Sequence, residues 1–516
     1  MNRISNMNAD LYCTDDGHFT SITLHSRTLN QDLLHSHSRT RDRNKDNTDR
    51  MSNKPVLTTI SPITQKPIHT RDEFTPEQIP ALVEASKRAF VDFKSSYDLP
   101  ARQKLVAKAL DILDSRADDL ARDLTEQMGR PIQYCAKEIK TAVLRGRYML
   151  KASTEALKDV PGDEEAGFKR YIRKEPLGTV LVIFAWNYPY LILVNSLVPA
   201  LLAGNALILK PSPQTPTVPE TFLSVLEEAG LPKNVVQVIH CGNADTLSQL
   251  ISAPGISSVT FTGSVGGGIA TQQAASKRVI PVGLELGGND PAYIRPDVDI
   301  KWAAEEIVDG AVFNSGQSCC SIERVYVHQD IYDKFVDEVV GVVKNYKLGD
   351  PFTGANHLGP VISVKSAQNI RKHIEEALKS GAKTLTPDIF GEGEALGETF
   401  VRPEILVNVN HDMQVMKEET FGPVIPIQKV SSDEEAIQLM NDSDLGLTAS
   451  IWTRDVSTGE KLADGVEAGT VFVNRADYPS PDLAWTGWKN SGRGQTLSKF
   501  GFDQFVRLKN FHLKQV

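Results

Sequence analysis

From residue 180 onward the chain alternates short, unbroken apolar runs with longer stretches of helical period. The runs 180–184, 206–209, 235–239 and 258–261 each end in a Gly, Pro or polar turn, and most lead into a helical stretch. Continuous apolarity over so few residues is what parallel strands show when both faces of their sheet are covered. A second series, 324–327, 424–427, 448–452 and 470–473, repeats the alternation between about 290 and 485. Upstream, Thr75-Pro76-Glu77-Gln78 combines a cap residue, a proline at the first helical position and Gln three after the cap, which predicts a helix start. Leu105, Ala107, Leu110, Leu113 and Leu120 continue at helical spacing to roughly 155, with breaks near Pro100 and Pro131. The pattern predicts a helical layer followed by two α/β domains.

The longest apolar stretch, 180–209, exceeds the roughly 20 residues of a membrane span. Asn187, Pro189, Asn195, Pro199 and Asn205 interrupt it, so strand, loop, helix, strand is the better account and no membrane span is expected. A length of 516 residues is too great for one ordinary core, which agrees with two large domains. The 41% hydrophobic and 23% charged content fits a globular enzyme, and the net charge of −9 gives no general attraction for nucleic acid. Five cysteines and no secretory signal point to a reducing compartment, with the cytoplasm as the expectation. Residues 1–52 are expected to be a disordered extension ahead of a mature start near Met51. Asp10, Asp15, Asp16 and Asp32 argue against a mitochondrial transit segment.

No His-Glu-x-x-His or Cys-x-x-Cys frame is present, so no metal is expected, and no phosphate loop of the ATPase type or Gly-x-Ser-x-Gly elbow occurs. Two other segments carry chemistry. Cys319 and Cys320 close the run Phe313-Asn314-Ser315-Gly316-Gln317-Ser318, and Glu285 lies upstream in Gly283-Leu284-Glu285-Leu286-Gly287-Gly288. A thiol in a glycine-bearing turn and a carboxylate held between glycines supply a nucleophile and a base for chemistry on an activated carbonyl. Thr262-Gly263-Ser264-Val265-Gly266-Gly267-Gly268 follows a strand-like run and opens a helix. Such a loop suits either a backbone approaching a dinucleotide or an ordinary tight turn.

Six motifs in register resemble the aldehyde dehydrogenase superfamily over about 55–512: Phe184-Ala185-Trp186-Asn187-Tyr188-Pro189, Lys210-Pro211-Ser212, Phe261-Thr262-Gly263-Ser264, Leu284-Glu285-Leu286-Gly287-Gly288, Gly316-Gln317-Ser318-Cys319, and Glu418-Glu419-Thr420-Phe421-Gly422-Pro423. The resemblance implies a Rossmann-like nucleotide-binding domain (53–167 and 182–286) and an α/β catalytic domain (287–490). A small β oligomerisation bridge (168–181 and 491–516) completes it, with a homodimer or homotetramer as the assembly. It implies oxidation of an aldehyde to a carboxylic acid by NAD or NADP. In that reading Cys319 is the nucleophile, Cys320 a bystander, Glu285 the base, and Asn187 with the Cys319 N–H the oxyanion donors. The cofactor falls to Trp186, Lys210, Gly263, Ser264, Gly268, Leu286, Glu419 and Phe421. A carboxylate at Glu285 favours hydrolysis over transfer to coenzyme A, since acylating relatives generally lack it. The alternatives are such a coenzyme A-dependent enzyme and a catalytically silent binding protein on the same fold.

Two departures from the resemblance matter. Many NAD-preferring members carry Glu three residues after the lysine, where this chain has Pro213, so NAD is the first expectation and NADP stays open. The lysine that many relatives carry after the Asn motif is absent from Leu193-Val194-Asn195-Ser196. Tyr190, Phe313, Tyr478 and Trp485 are expected around the aldehyde, giving an apolar or aromatic substrate, with ordinary core packing the alternative for each.

Overall fold

The computed structural model describes residues 55–515, and the expected disordered segment 1–52 lies outside them. The capping sequence works as expected, with Gln78 Oε1 accepting the Thr75 N–H at 2.8 Å. A 3-10 turn, Pro76–Gln78, then leads into the helix Ile79–Ser96. Pro100 and Pro131 mark the beginnings of the helices Leu99–Ser115 and Ile132–Ala156, where a missing N–H costs nothing.

The first sheet has the strand order 492–493, 282–285, 256–262, 179–184, 206–211, 236–238, and only the short first strand runs antiparallel. The apolar runs coincide with its interior because both faces are covered. Val180 and Val182 face one core with Leu197 and Leu201, while Leu181 and Ile183 face another with Ile251. The second sheet is ordered 383–384, 404–407, 424–430, 322–328, 290–294, 448–452, 470–473, again parallel but for its short first strand. Its strands too divide by alternation, Val325 and Val327 into one core and Tyr326 into the other.

A third, antiparallel sheet joins Val506–Lys514 to Phe168–Pro176 over nine partner pairs, with Val160–Pro161 on the far side. Tyr171 and Phe511 stack across it with centroids 4.6 Å apart. The chain crosses from the first sheet to the second between Glu285 and Asp290, and this crossing is where the candidate chemistry gathers.

Candidate active site

The helix Ile300–Val312 ends in a turn whose residues Asn314, Ser315 and Gly316 all have left-handed backbone, φ +54°, +56° and +71°. Two non-glycine residues in that region cost energy, so the surroundings must hold them. Arg130 Nε donates to Asn314 Oδ1 at 3.0 Å, Asn314 Nδ2 donates to Gln317 O at 3.1 Å, and Ser315 Oγ donates to Gly359 O at 2.9 Å. At Gly316 any Cβ would lie inside contact distance of the Gly422 carbonyl. The turn delivers Cys319 half-buried and Cys320 buried. The Cys320 thiol donates to Asp477 Oδ1 at 2.8 Å, and Ser318 Oγ donates to the same oxygen at 3.0 Å. Its hydrogen bond with Cys319, then burial and the Asp477 charge, keep the Cys320 thiol well above its ordinary range. Both cysteines reach the wall of the larger of two neighbouring cavities, and Cys319 alone of the two also walls the smaller one.

Three parallel strands of the first sheet end around Cys319: Thr179–Phe184 leads to Asn187, Ile256–Thr262 to Gly263 and Ser264, and Val282–Glu285 to the carboxylate. Sites at the carboxyl ends of such strands are the rule for open α/β sheets. Asn187 is 4% exposed, and its Nδ2 donates to Gln317 O at 3.3 Å. Thr496 Oγ1 donates to Glu285 Oε1 at 2.7 Å, yet burial raises the carboxyl to about 7. Two cavities meet here. One of about 280 Å³ is walled by Phe313, Tyr478 and Trp485 among others, and one of about 200 Å³ by Trp186, Gly263, Ser264, Glu419 and Phe421 among others. Asn187, Glu285 and Cys319 belong to the walls of both.

The smaller cavity gathers groups of the kind a dinucleotide requires. Ser264 caps the helix Val265–Ala275, whose first N–H groups suit a pyrophosphate. Glu419 accepts the Gly288 N–H at 3.0 Å, and burial raises its carboxyl to about 7. Phe421 has φ +52° and meets Trp186 edge-on at 5.8 Å. Lys210 is the penultimate residue of the strand Ala206–Pro211, and burial lowers its ammonium pKa. That ammonium has no hydrogen-bond partner among the described residues, which leaves its donors for a ligand.

Most expected residues come together; three, Lys210, Gly268 and Tyr190, are not among the walls of either cavity. Gly268 sits behind the cleft, where any Cβ would strike Leu286, so its role here is helix-to-strand packing rather than lining. Tyr190 does not line the larger cavity: it is 1% exposed and packs on Phe222 in the core. Sequence reasoning missed Glu323, which takes the Thr420 and Phe421 N–H groups at 2.8 and 2.9 Å, and Thr496 beneath Glu285. It also missed Arg145 and Asp477, which bring a guanidinium and a carboxylate to the larger cavity. Burial raises Asp477 to about 6. Arg145 carried one signal, a charge on the apolar face of the helix Ile132–Ala156, whereas Asp477 lies in a polar stretch and carried none. No cluster of metal-ligating side chains occurs among the described residues.

The family profile described as "Aldehyde dehydrogenase family" matches residues 49–511. An aldehyde dehydrogenase of Paenarthrobacter nicotinovorans is 33% identical over 457 residues, covering 88% of this chain and 99% of that protein. An NADP(+) succinate-semialdehyde dehydrogenase of Mycobacterium avium is 30% identical over 455 residues, covering 88% and 96%. Among solved structures, a betaine aldehyde dehydrogenase point mutant from Staphylococcus aureus in complex with NAD+ superposes with a TM-score of 0.85 at 29% identity, covering 90% of this chain and 95% of that one.

Proposed function

From the chain's membership of the aldehyde dehydrogenase family, an enzyme that oxidises an aldehyde to the acid with NAD+ or NADP+, we propose the assignment of its chemistry to Cys319, Asn187 and Glu285. The observation that carries it is their place on the walls shared by the two cavities. The Cys319 thiolate bonds to the aldehyde carbon, and the carbonyl oxygen takes the negative charge. Asn187 Nδ2 and the Cys319 N–H receive that oxyanion in a site screened from water, where such donors act most strongly. NAD(P)+, when bound, supplies the hydride acceptor. The residue left on sulfur is a thioester. Glu285, ionised at and above about pH 7, then takes a proton from a water that attacks the thioester, and the acid departs from the Cys319 thiolate.

Lys210 and the N-terminus of the helix Val265–Ala275 hold the adenosine ribose and the pyrophosphate, and Glu419 the nicotinamide ribose. Either cofactor is accommodated, because Pro213 presents no carboxylate to a 2′-phosphate. The substrate has an apolar or aromatic body, resting on Phe313, Leu144, Tyr478 and Trp485, with Arg145 and Asp477 available to a polar substituent. Assembly as a dimer or tetramer is supported by the strand Val506–Lys514, which among the described residues pairs along one edge only.

The test is a panel of aliphatic, aromatic and carboxylate-bearing aldehydes, run with NAD+ and NADP+ separately, with and without coenzyme A. Reduced cofactor is expected without coenzyme A, and Cys319→Ala is expected to abolish it. Turnover unchanged in that variant overturns the assignment.

A further inference from the structure

Arg130 and Glu138 form an ion pair whose side chains are 1% and 2% exposed, with no place in the chemistry described above. A buried pair of this kind is weak evidence for stability, because desolvation offsets much of the attraction. What it touches is more informative. Arg130 follows the helix Ala117–Met128, and Glu138 sits in the second turn of Ile132–Ala156. The guanidinium has three bonds in three directions. It donates to Glu138, through Nε to Asn314 Oδ1 at 3.0 Å, and through Nη2 to the backbone carbonyl of Asn187. It also lies over the Tyr188 ring, 4.3 Å from its centroid. Glu138 takes the Tyr190 and Leu191 N–H groups at 2.9 and 3.4 Å, at the start of the helix Pro189–Ala203 that follows Asn187.

The second half of the frame is the cysteine turn. Asn314, gripped by Arg130, and Asn187 both donate to the same carbonyl, Gln317 O, at 3.1 and 3.3 Å. Gln317 in turn is fixed by Ile362 N, which donates to its Oε1 at 2.8 Å. One planar cation therefore ties the segment bearing the side-chain oxyanion donor to the segment bearing the nucleophile and the backbone donor. A rigid planar fork fixes the directions of these acceptors relative to one another; a lysine ammonium is a point charge on a flexible stem and does not.

We propose that Arg130 and Glu138 are positioning residues that set the separation of the Asn187 amide from the Cys319 N–H, and so the fit of the oxyanion between them. The inference rests on the roles assigned above to Asn187 and Cys319. The pair acts through Asn187 and the turn and touches neither substrate nor cofactor.

The test is a double-mutant cycle read in the pre-steady-state burst of reduced cofactor, with an aldehyde on which the native enzyme turns over. Arg130→Lys keeps a charge opposite Glu138 and so is expected to fold. The double variant Arg130→Met/Glu138→Gln removes both charges and retains an acceptor for Tyr190 N. Each is expected to slow the burst roughly 10- to 100-fold, in the range for a misplaced oxyanion donor, with KM and reduced-cofactor affinity changed less than threefold. In an Asn187→Ala background the same changes are expected to slow it no more than about twofold, since the donor they position is gone. Full multiplicative effects in that background overturn the proposal, as does a native burst in folded Arg130→Lys. Should Asn187→Ala itself leave the burst intact, the oxyanion assignment falls first, a separate and distinguishable result.

Discussion

At the scale of single residues, Glu285 carries two opposed demands. In the role proposed for it the carboxyl must ionise to activate water, and burial pushes it up to about 7 from an ordinary 4.5. The raised value means that the folded state binds more protons than the unfolded chain between those two pH values. The stability it lends is full below about 4.5 and is lost as pH rises through 7. Glu285→Gln removes that loss, so the variant is expected to be more stable than the native chain at pH 8, by on the order of 2 kcal/mol, in denaturant titrations. Its steady-state turnover is expected to fall at least about 100-fold, with much of the first burst kept and acyl enzyme detectable by mass. Native deacylation should rise with pH to a plateau with a midpoint near 7. Equal losses of burst and steady-state rates in Glu285→Gln count against the base assignment.

At the scale of elements, the cysteine turn and the Glu419 loop depend on each other. Gly316 has φ +71°, and a Cβ there has nowhere to go because its neighbour is the Gly422 backbone. Gly316→Ala is expected to destabilise the fold by at least about 2 kcal/mol and to lower turnover with it, as thermal melts and burst amplitudes will report. Glu323 holds the other side. Burial and the nearby Glu419 charge raise its carboxyl to about 8, and it still accepts the Thr420 and Phe421 N–H groups. Glu323→Ala leaves both donors buried and unpaired, with an expected cost of about 2 to 4 kcal/mol and a KM for cofactor raised about tenfold or more. These contacts also mark what the chain conceals. The strands were legible because an unbroken apolar run has few other uses, and 448–452 and 470–473 coincide with the strands to the residue. Cys319, Glu285 and Asn187 were legible because motifs keep their local spacing. Glu323, Thr496 and Arg130 were not, since each is one polar residue joined to a partner far along the sequence, 211 positions away for Thr496 and Glu285. Tyr190 misled because an aromatic beside a site motif reads the same whether it faces a cavity or the core.

For the whole molecule, the question is what the third sheet does, since none of Cys319, Glu285 and Asn187 lies on it. Val506–Lys514 covers one edge of Phe168–Pro176, and its own other edge has no partner strand among the described residues, with Leu508 65% exposed. A nine-residue edge with exposed apolar side chains is a template for pairing unless something covers it. A second copy of the chain is the occupant proposed above. Asn205 Nδ2 donates to Phe505 O at 2.9 Å, so the tail is anchored to the first sheet just before the strand begins, and a chain ending at Phe505 keeps that anchor. Truncation there is expected to convert a dimer or tetramer into monomer by sedimentation. It is also expected to lower the melting temperature by roughly 5 °C or more, since the edge of Phe168–Pro176 and the Tyr171 ring face are uncovered together. The hydride burst per intact chain should survive at the lower temperature, because Cys319, Glu285 and Asn187 all lie outside the third sheet. A truncated chain that sediments and melts like the full one shows instead that Val506–Lys514 only covers its own neighbour.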